Sequence, residues 1–134
     1  RQTACGGDEL VIAIHVPTHA ETGCSGFEKL GARRYLVISI AMTAARLVIS
    51  NGHIDSAAIA VGACAPVAVR LTALEDSLRA LPCDAAADCL GDSRQQIMDA
   101  LSPIDDVRGS ADYRRVAAAE LVARLVGRLC GESG

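Results

Sequence analysis

The fold is indicated most clearly by residues 35–61, which read YLVISIAMTAARLVIS, then Asn51-Gly52, then HIDSAAIAV. Asn51-Gly52 is the strongest short hairpin signal, because both residues tolerate a positive φ in a tight two-residue turn. The apolar residues on either side predict two paired strands, Tyr35 to Ser50 and His53 to Val61. Within the first of them, Ser39 to Ala45 also fits a helix, and the sequence leaves that alternative open.

Two further strands are predicted upstream of this hairpin. Glu9 to Val16 is rich in β-branched residues and is bounded by Gly7 and Pro17. Gly26 to Leu30 is a shorter candidate. With the hairpin, these segments predict an antiparallel sheet of about three to four strands in the N-terminal half.

The C-terminal half is predicted to form three helices. Thr72 and Glu75 have the spacing of a capping box, and Pro82 ends the first helix. A second helical region runs from Asp84 to Leu101 and is interrupted at Gly91–Ser93. In the third helix Ser110 is the predicted N-cap and Gly131 the C-cap. The apolar stripe of this helix comprises Ala118, Leu121, Val122, Leu125 and Leu129, whereas Arg114, Glu120, Arg124 and Arg128 are predicted to point elsewhere.

The order of these elements predicts the fold class. Strands come first and helices last, so we expect an α+β fold with the sheet packed against the three helices. Strands and helices do not alternate, which argues against a Rossmann fold. We expect one domain over residues 1–134, with residues 1–8 as a linker. Because the chain lacks an initiator Met and begins in a Gly-Gly connector, we expect it to be part of a longer protein.

Composition narrows the class of function. The chain is 51% apolar with only two Tyr and one Phe, so the core must consist of small aliphatic side chains. The net charge is −3 and no basic stripe with aromatics occurs, which argues against nucleic-acid binding. The most apolar run, residues 36–49, is too short to span a membrane and contains Arg46. Six cysteines without a C-x-x-C pair favour a reducing, cytoplasmic setting, with Cys64 and Cys130 as small buried hydrophobes.

Candidate reactive groups are sparse. His15, His19 and Cys24 invite a metal hypothesis, but Pro17 separates the histidines and the spacing does not aim them at one point, so no metal site is predicted. The adjacent carboxylates Asp105-Asp106 fit a helix cap or an Arg partner better than catalysis. A small hydrolase using Cys24 or Ser25 is a weaker option without a partner His. No glycine-rich loop precedes a helix, so the chain has no evident means of holding a dinucleotide's phosphates.

Phe27, Glu28 and Lys29 permit two interpretations. In one, Phe27 packs inward and the two charged side chains point outward, the commoner arrangement for an aromatic residue. In the other, Phe27 is exposed and stacks on a planar ring, and Lys29 stabilises negative charge on a reduced flavin.

Four short segments, in order, resemble the C-terminal domain of the FAD-binding flavoprotein subunit of molybdenum hydroxylases, a family that includes carbon monoxide dehydrogenase and xanthine dehydrogenase. They are residues 8–17, which resemble its first strand; Phe27 to Arg34, similar to its aromatic-x-Lys-Leu segment; Gly62 to Pro66, similar to its Gly-x-x-Ala-Pro turn; and Asp106 to Arg115, similar to its Asp-x-Arg-Gly-Ser-x-x-Tyr-Arg-Arg segment. In this last segment Gly109 would permit an unusual backbone angle and Ser110 would cap the helix.

The resemblance implies a role in an FAD-dependent oxidoreductase complex. Phe27 and Lys29 would lie near the flavin ring of FAD bound mainly by an upstream domain, and Phe27 stands where relatives often carry Tyr. Partner subunits would carry molybdenum–pterin and [2Fe–2S] clusters, and electrons would pass through FAD to an acceptor such as NAD, oxygen or a quinone. The domain alone is expected to be non-catalytic. The alternative is a stand-alone protein-interaction module of the same fold.

Overall fold

The computed structural model describes residues 3–33 and 36–132. Four strands precede four helices; one short 3₁₀ turn lies before the first strand and another between the first and second helices. The strands are β1 (Cys24–Leu30), β2 (Ala41–Ser50), β3 (His53–Gly62) and β4 (Val69–Arg70); the helices are α1 (Thr72–Leu78), α2 (Ala86–Asp92), α3 (Arg94–Asp99) and α4 (Ala111–Gly131); the 3₁₀ turns are Thr18–Glu21 and Cys83–Ala85.

The strands form one antiparallel sheet in the order β1-β2-β3-β4. Asn51 and Gly52 connect β2 to β3 with φ angles of 51° and 75°, and Ser50 lies opposite His53. Both positive angles are those of a type I′ turn, which matches the twist of the paired strands. The predicted hairpin is therefore confirmed, and the helical alternative for the start of β2 is wrong.

Two predicted strands differ from the structure. β2 begins at Ala41 rather than at Tyr35, which lies outside the described residues, and Leu36 has a φ of 51° that strand geometry does not allow. Glu9 to Val16 is not a strand: its side chains are exposed, Ile12 at 90%. Within the described part of the chain no strand pairs with this segment and no apolar surface covers it, so its β propensity is left without a partner.

The helices cover one face of the sheet. α4 packs against β1 and β2, α1 packs against β3, and α2 and α3 pack against α4. The second predicted helical region divides into α2 and α3 at Ser93, within the predicted interruption at residues 91–93. The predicted N-cap of α4 is confirmed, because Tyr113 N donates to Ser110 Oγ at 3.2 Å. The α+β architecture follows the prediction from the order of the elements.

The capping box at α1 is wrong. The helix begins at Thr72, but its N-cap is Leu71 and no side chain caps it. Glu75 instead turns toward the sheet, where its carboxylate accepts from Ile59 N at 2.7 Å and from Arg70. A buried strand amide and a guanidinium are stronger partners for a carboxylate than an exposed helix end.

The core is aliphatic, as its composition predicts. One cluster of buried residues joins the sheet to all four helices, and Leu47, Ile59, Leu78 and Leu125 are completely buried. Each such side chain contributes about 1.5–3 kcal/mol relative to exposure. Cys64 and Cys130 are buried in this cluster as predicted. α4 approaches β1 closely at Gly26, where a Cβ atom would lie 2.7 Å from Leu125 Cδ1.

Candidate functional site

The sheet face turned away from the helices is open. In β1, exposure alternates so that Ser25, Phe27 and Lys29 point away from the helices. The register places Phe27 opposite Ala44, Ala44 opposite Ala60, and Ala60 opposite Arg70, one row across all four strands. We call this surface the open face; it is formed by Ser25, Phe27, Lys29, Met42, Ala44, Arg46, Ala58, Ala60 and Arg70.

Alanines make the middle of the open face shallow. Ala44, Ala58 and Ala60 form its floor, and a cavity of about 560 Å³ lies over them. Phe27 bounds the cavity on one edge and Arg70 on the other, with Arg46 between them. A floor of methyl groups beside an exposed ring is flat and apolar, which suits a planar ligand better than a branched one.

Phe27 is 58% exposed, so the interpretation that packs it inward is wrong. The inward position of this strand is taken by Glu28, whose carboxylate lies 3.6 Å from Arg128 Nε on α4. Because strand side chains alternate, an inward Glu28 directs both of its neighbours to the open face. The ring of Phe27 is therefore available for stacking.

Lys29 lies on the open face two residues from Phe27, roughly 7 Å along the strand. Its Nζ donates to Val37 O at 2.8 Å, which leaves two further N–H groups for another acceptor. Val37 belongs to the loop of residues 31–40 that joins β1 to β2. The position of the ammonium group therefore depends on how that loop is held.

Two arginines lie on the open face, and only one of them adds to its charge. Arg46 donates to Thr22 O at 3.0 Å and forms no ion pair within the described residues. Arg70 donates to both oxygens of Glu75, at 2.8 and 2.7 Å. Burial acts to raise the pKa of Glu75, but the hydrogen bonds from Arg70 and Ile59 N outweigh it and the pKa is lowered. Arg70 is thus neutralised by Glu75, whereas Lys29 and Arg46 leave the face positive.

Arg114 fastens the loops at one end of the sheet. Its side chain is 1% exposed; Nε donates to Ile40 O at 3.1 Å, one terminal nitrogen donates to Ile104 O at 2.7 Å, and the other to Ala63 O. The three carbonyls belong to three different loops, residues 31–40, 63–68 and 101–109. These loops lie at one end of the sheet, and together we call them the loop end. Arg114 therefore anchors the loop that holds Lys29.

Asp106 completes this arrangement. Its carboxylate accepts from Arg108 and lies 3.5 Å from Arg114. The hydrogen bonds from the Arg108 side chain and backbone lower the pKa of Asp106 to about 2. Asp105 accepts from Ala111 N at the start of α4. The two acids therefore pair with arginine and cap a helix, as the sequence suggested.

Arg114 was predicted to point away from the apolar stripe of the last helix, but the structure buries it. Arg114 lies four residues before Ala118, which is on the apolar stripe, and that spacing was the available signal. A basic residue on an apolar stripe is rarely buried unless carbonyls or carboxylates accept its hydrogen bonds. For Arg114 these acceptors lie in loops that are distant in the sequence, so the helix alone could not reveal them.

The metal candidates are not brought together. His15 is exposed in the irregular segment before the first 3₁₀ turn, and the side chain of His19 lies outside the described residues. Cys24 is directed at backbone carbonyls of Leu47 and Leu129. In the part of the chain that the structure describes, no group of three metal-ligating side chains occurs. Arg34, from the matched segment, also lies outside the described residues.

The loop end also carries exposed apolar residues and a cavity of about 710 Å³, bordered by Met42 and Arg108. Large apolar side chains on a protein surface mark contact sites when they cluster. Those at the loop end are Leu36, Ile38, Val67, Ile104 and Val107, between 61% and 98% exposed.

Among the described helices none is long and apolar enough to cross a membrane.

Comparisons with known proteins agree on one family. The family described as "CO dehydrogenase flavoprotein C-terminal domain" matches residues 27–129. Reconstituted CO dehydrogenase from Oligotropha carboxidovorans is 25% identical with a TM-score of 0.72, over 80% of this chain and 36% of that one. Carbon monoxide dehydrogenase from Hydrogenophaga pseudoflava, lacking the Mo-pyranopterin moiety of its molybdenum cofactor, is 29% identical with a TM-score of 0.63, over 76% and 34%.

Quinoline 2-oxidoreductase from Pseudomonas putida 86 shares the fold, with 23% identity and a TM-score of 0.67 over 81% of this chain and 37% of that one. The chain thus spans about a third of the length of the solved chains it matches. No curated protein sequence matches it.

Proposed function

Because the chain belongs to the family of CO dehydrogenase flavoprotein C-terminal domains, we propose that its open face covers the flavin ring of FAD held mainly by a preceding domain of a longer flavoprotein. The observation that supports this proposal is that Phe27 and Lys29 share one exposed, alanine-floored face. The flavin would accept electrons from [2Fe–2S] clusters and pass them to an acceptor.

Phe27 would supply the stacking surface. Its ring is the only phenyl group of the chain and lies beside Ala44, whose methyl group leaves room for a second ring. An aromatic pair contributes about 0.5–1.5 kcal/mol beyond the area it buries. Phe keeps this stacking but has no hydroxyl, so it would not hydrogen-bond to the ring system or to a partner group.

Lys29 would supply positive charge where the ring system becomes negative on reduction. Its anchor at Val37 O fixes the ammonium on the open face, and Arg46 adds a second charge. An ammonium beside a half-exposed anion is worth about 1–2 kcal/mol after screening. For a two-electron couple this corresponds to roughly 20–40 mV, so Lys29 would raise the reduction potential.

The described residues of the open face would supply a stacking surface and positive charge for the ring, and the two glycines near the start of β1 do not form a phosphate site. Gly23 directly precedes β1 and Gly26 lies within it. Neither glycine precedes a helix whose N-terminus could bind a phosphate. The division of labour is therefore that a preceding domain would bind the dinucleotide and this domain would cover the ring. Molybdenum–pterin and the iron–sulfur clusters would lie in partner subunits.

The experiment uses the full flavoprotein that carries this domain, assembled with its partner subunits. Phe27→Ala should weaken FAD retention roughly 2- to 10-fold, and Lys29→Met should lower the flavin midpoint potential by roughly 20–40 mV, measured by spectroelectrochemical titration. Phe27→Tyr and Lys29→Arg should restore most of each effect.

Tyr113→Ala and Arg124→Met are the matched controls, because they remove an exposed aromatic and an exposed cation from the helical layer instead. Both should leave retention and potential unchanged. If the Phe27 and Lys29 variants behave like these controls, the open face does not cover the ring and the proposal is wrong.

The second candidate is a protein-interaction module without a redox role, and the exposed apolar residues of the loop end favour it. Val107 is 98% exposed at this end. Val107→Asp should then prevent assembly with a partner, measured by size-exclusion chromatography, while the Phe27 and Lys29 variants leave flavin behaviour unaltered. The opposite pattern favours the flavin-covering function.

A further inference from the structure

Residues 10–16 form an exposed apolar segment ahead of the sheet. The large apolar side chains of this segment are between 62% and 90% exposed; they are Leu10, Val11, Ile12, Ile14 and Val16. Among the described residues, the aliphatic core contains none of these side chains. A continuous run of large apolar side chains in water marks a contact site rather than ordinary surface.

The apolar side chains alternate as in a strand that buries one face. The even positions 10, 12, 14 and 16 are all large and apolar, whereas the odd positions include Glu9 and His15. β-branched residues predominate, and Pro17 favours an extended conformation at the residue before it. A strand formed here would therefore have one fully apolar face and one mixed face.

The segment is bounded by local structure but has no partner of its own. Glu9 N donates to Gly6 O at 3.2 Å in the turn before it, and Ala20 N donates to Pro17 O at 2.8 Å in the 3₁₀ turn after it. Between these turns, no backbone hydrogen bond joins residues 10–16 to another described residue. When apolar side chains are buried, the backbone groups beside them need hydrogen-bond partners, and the free edge of a sheet supplies them.

The edges of this domain's own sheet do not fit the apolar face. β4, at one edge, is only two residues long. β1, at the other edge, has Glu28 in its helix-side row, 3.6 Å from Arg128 Nε, and its open-face row carries Ser25 and Lys29 on either side of Phe27. A strand added beside β1, from this chain or from a second copy, would therefore place its apolar face next to charged groups, which is unfavourable.

We propose that residues 9–16 add a strand to the edge of a sheet in the preceding domain, with positions 10, 12, 14 and 16 turned into the core of that domain. The assignment rests on the proposed function, which requires such a domain. Two observations support it: the segment lies before residues 27–129, which match the family, and the chain spans about a third of the length of the solved chains it matches.

The added strand would hold the two domains close together. From Thr22 onward the chain is tied to the sheet of this domain, because Thr22 O accepts from Arg46 at 3.0 Å. Residues 17–22 separate this attachment from the proposed strand and reach at most about 20 Å when extended. The strand would therefore keep the open face near the FAD-binding part of the flavoprotein.

Hydrogen exchange measures the pairing directly. The amides of residues 10–16 are compared in the 134-residue chain and in the full flavoprotein assembled with its partner subunits. In the 134-residue chain they should exchange as fast as those of an unstructured peptide, and in the full flavoprotein every second amide should exchange roughly 100-fold more slowly. Equally fast exchange in both proteins would refute the pairing. Slow exchange already in the 134-residue chain would assign the segment to this domain or to a second copy, and would also refute it.

Matched substitutions test which face of the strand is buried. Ile12→Asp places a charge on the apolar face, and His15→Asp places the same charge on the mixed face. Ile12→Asp should lower the Tm of the full flavoprotein by roughly 5–10 °C and leave the Tm of the 134-residue chain unchanged, whereas His15→Asp should shift either Tm by less than about 2 °C. Ile12→Val should behave like the unchanged protein. Equal Tm values for Ile12→Asp and His15→Asp in the full flavoprotein would contradict the proposed burial.

The strand and the flavin-covering function can fail separately. Slowed exchange of residues 10–16 together with silent Phe27 and Lys29 variants would remove the flavin-covering function and support the strand. Unprotected amides together with altered FAD retention in Phe27→Ala would remove the strand and leave the flavin-covering function standing.

Discussion

Replacing Arg114 with methionine is expected to destabilise the domain more than any single exposed change. Methionine keeps most of the side-chain volume but removes the donors that reach Ile40 O, Ala63 O and Ile104 O. Asp106 loses Arg114 but keeps its hydrogen bonds from Arg108. Ile40 O keeps only the weak thiol donor of Cys64, and the Arg114 donors to Ala63 O and Ile104 O would have to be replaced by water.

The magnitude follows from these contacts. Each carbonyl left without a donor costs about 1–3 kcal/mol when it stays buried, and three carbonyls lose their guanidinium donor. These costs overlap, because relaxation of the loops lets water reach some of the carbonyls. We therefore expect a loss of about 3–5 kcal/mol, against a total stability of roughly 5–15 kcal/mol for a domain.

Urea unfolding followed by circular dichroism measures this loss. At an m value of roughly 2 kcal/mol/M the unfolding midpoint should fall by roughly 2 M. Arg114→Lys keeps the charge without the planar fork and should recover only part of the loss. Arg124→Met, an exposed arginine on the same helix, should change stability by less than about 0.5 kcal/mol.

If the free energy of unfolding of Arg114→Met lies within about 0.5 kcal/mol of that of the unchanged protein, the three carbonyls do not depend on the guanidinium. If Arg114→Lys is as stable as the unchanged protein, charge alone is sufficient and the planar fork is not needed. A loss confined to Arg114→Met and partly shared by Arg114→Lys supports the geometry described.

The remaining predictions concern the loss of stability at acid pH and the substitution of two glycines. Because the pKa values of Asp106 and Glu75 are lowered in the folded state, stability should be full above about pH 5 and should fall as pH drops toward 2. Asp106→Asn should flatten this slope in unfolding measured from pH 5 to pH 2. Gly23→Ala should cost more than Gly26→Ala in urea unfolding. At Gly23, φ is +90° and a Cβ would collide with the backbone oxygen of Leu47, whereas at Gly26 it would meet the movable Leu125 side chain; equal costs would contradict this.

The site was partly predictable because strand alternation is local. Phe27 and Lys29 are two residues apart in one strand, so their side chains must point to the same face of the sheet. This shared face can be predicted from the sequence. Which face they share was not decided by the strand itself, because both the inward and the outward arrangement satisfy the alternation. The ion pair of Glu28 with Arg128, a residue one hundred positions later, is the contact that accompanies the outward arrangement.

Long-range contacts also account for the two clearest errors. Glu9 to Val16 has strong β propensity, but a strand forms only where another strand supplies hydrogen bonds, and none of the described strands lies beside it. Thr72 and Glu75 have the spacing of a capping box, but Glu75 finds Ile59 N and Arg70 across the sheet. In both cases the local sequence pattern has a real structural preference, but the tertiary surroundings of the segment determine which structure forms.

The amino-acid sequence alone determined the β2–β3 hairpin, the order of strands before helices, the N-cap of α4 and the aliphatic nature of the core; the C-cap of α4 is Glu132 rather than the predicted Gly131. These depend on neighbours in the chain: turn residues with positive φ, a serine before a helix, and a recurring apolar stripe. Tertiary structure alone decided that Phe27 is exposed and that Arg114 is buried. Both outcomes depend on contacts between residues far apart in the sequence, Arg114 with Ala63 and Glu28 with Arg128. Packing, and not spacing in the sequence, brings these residues together.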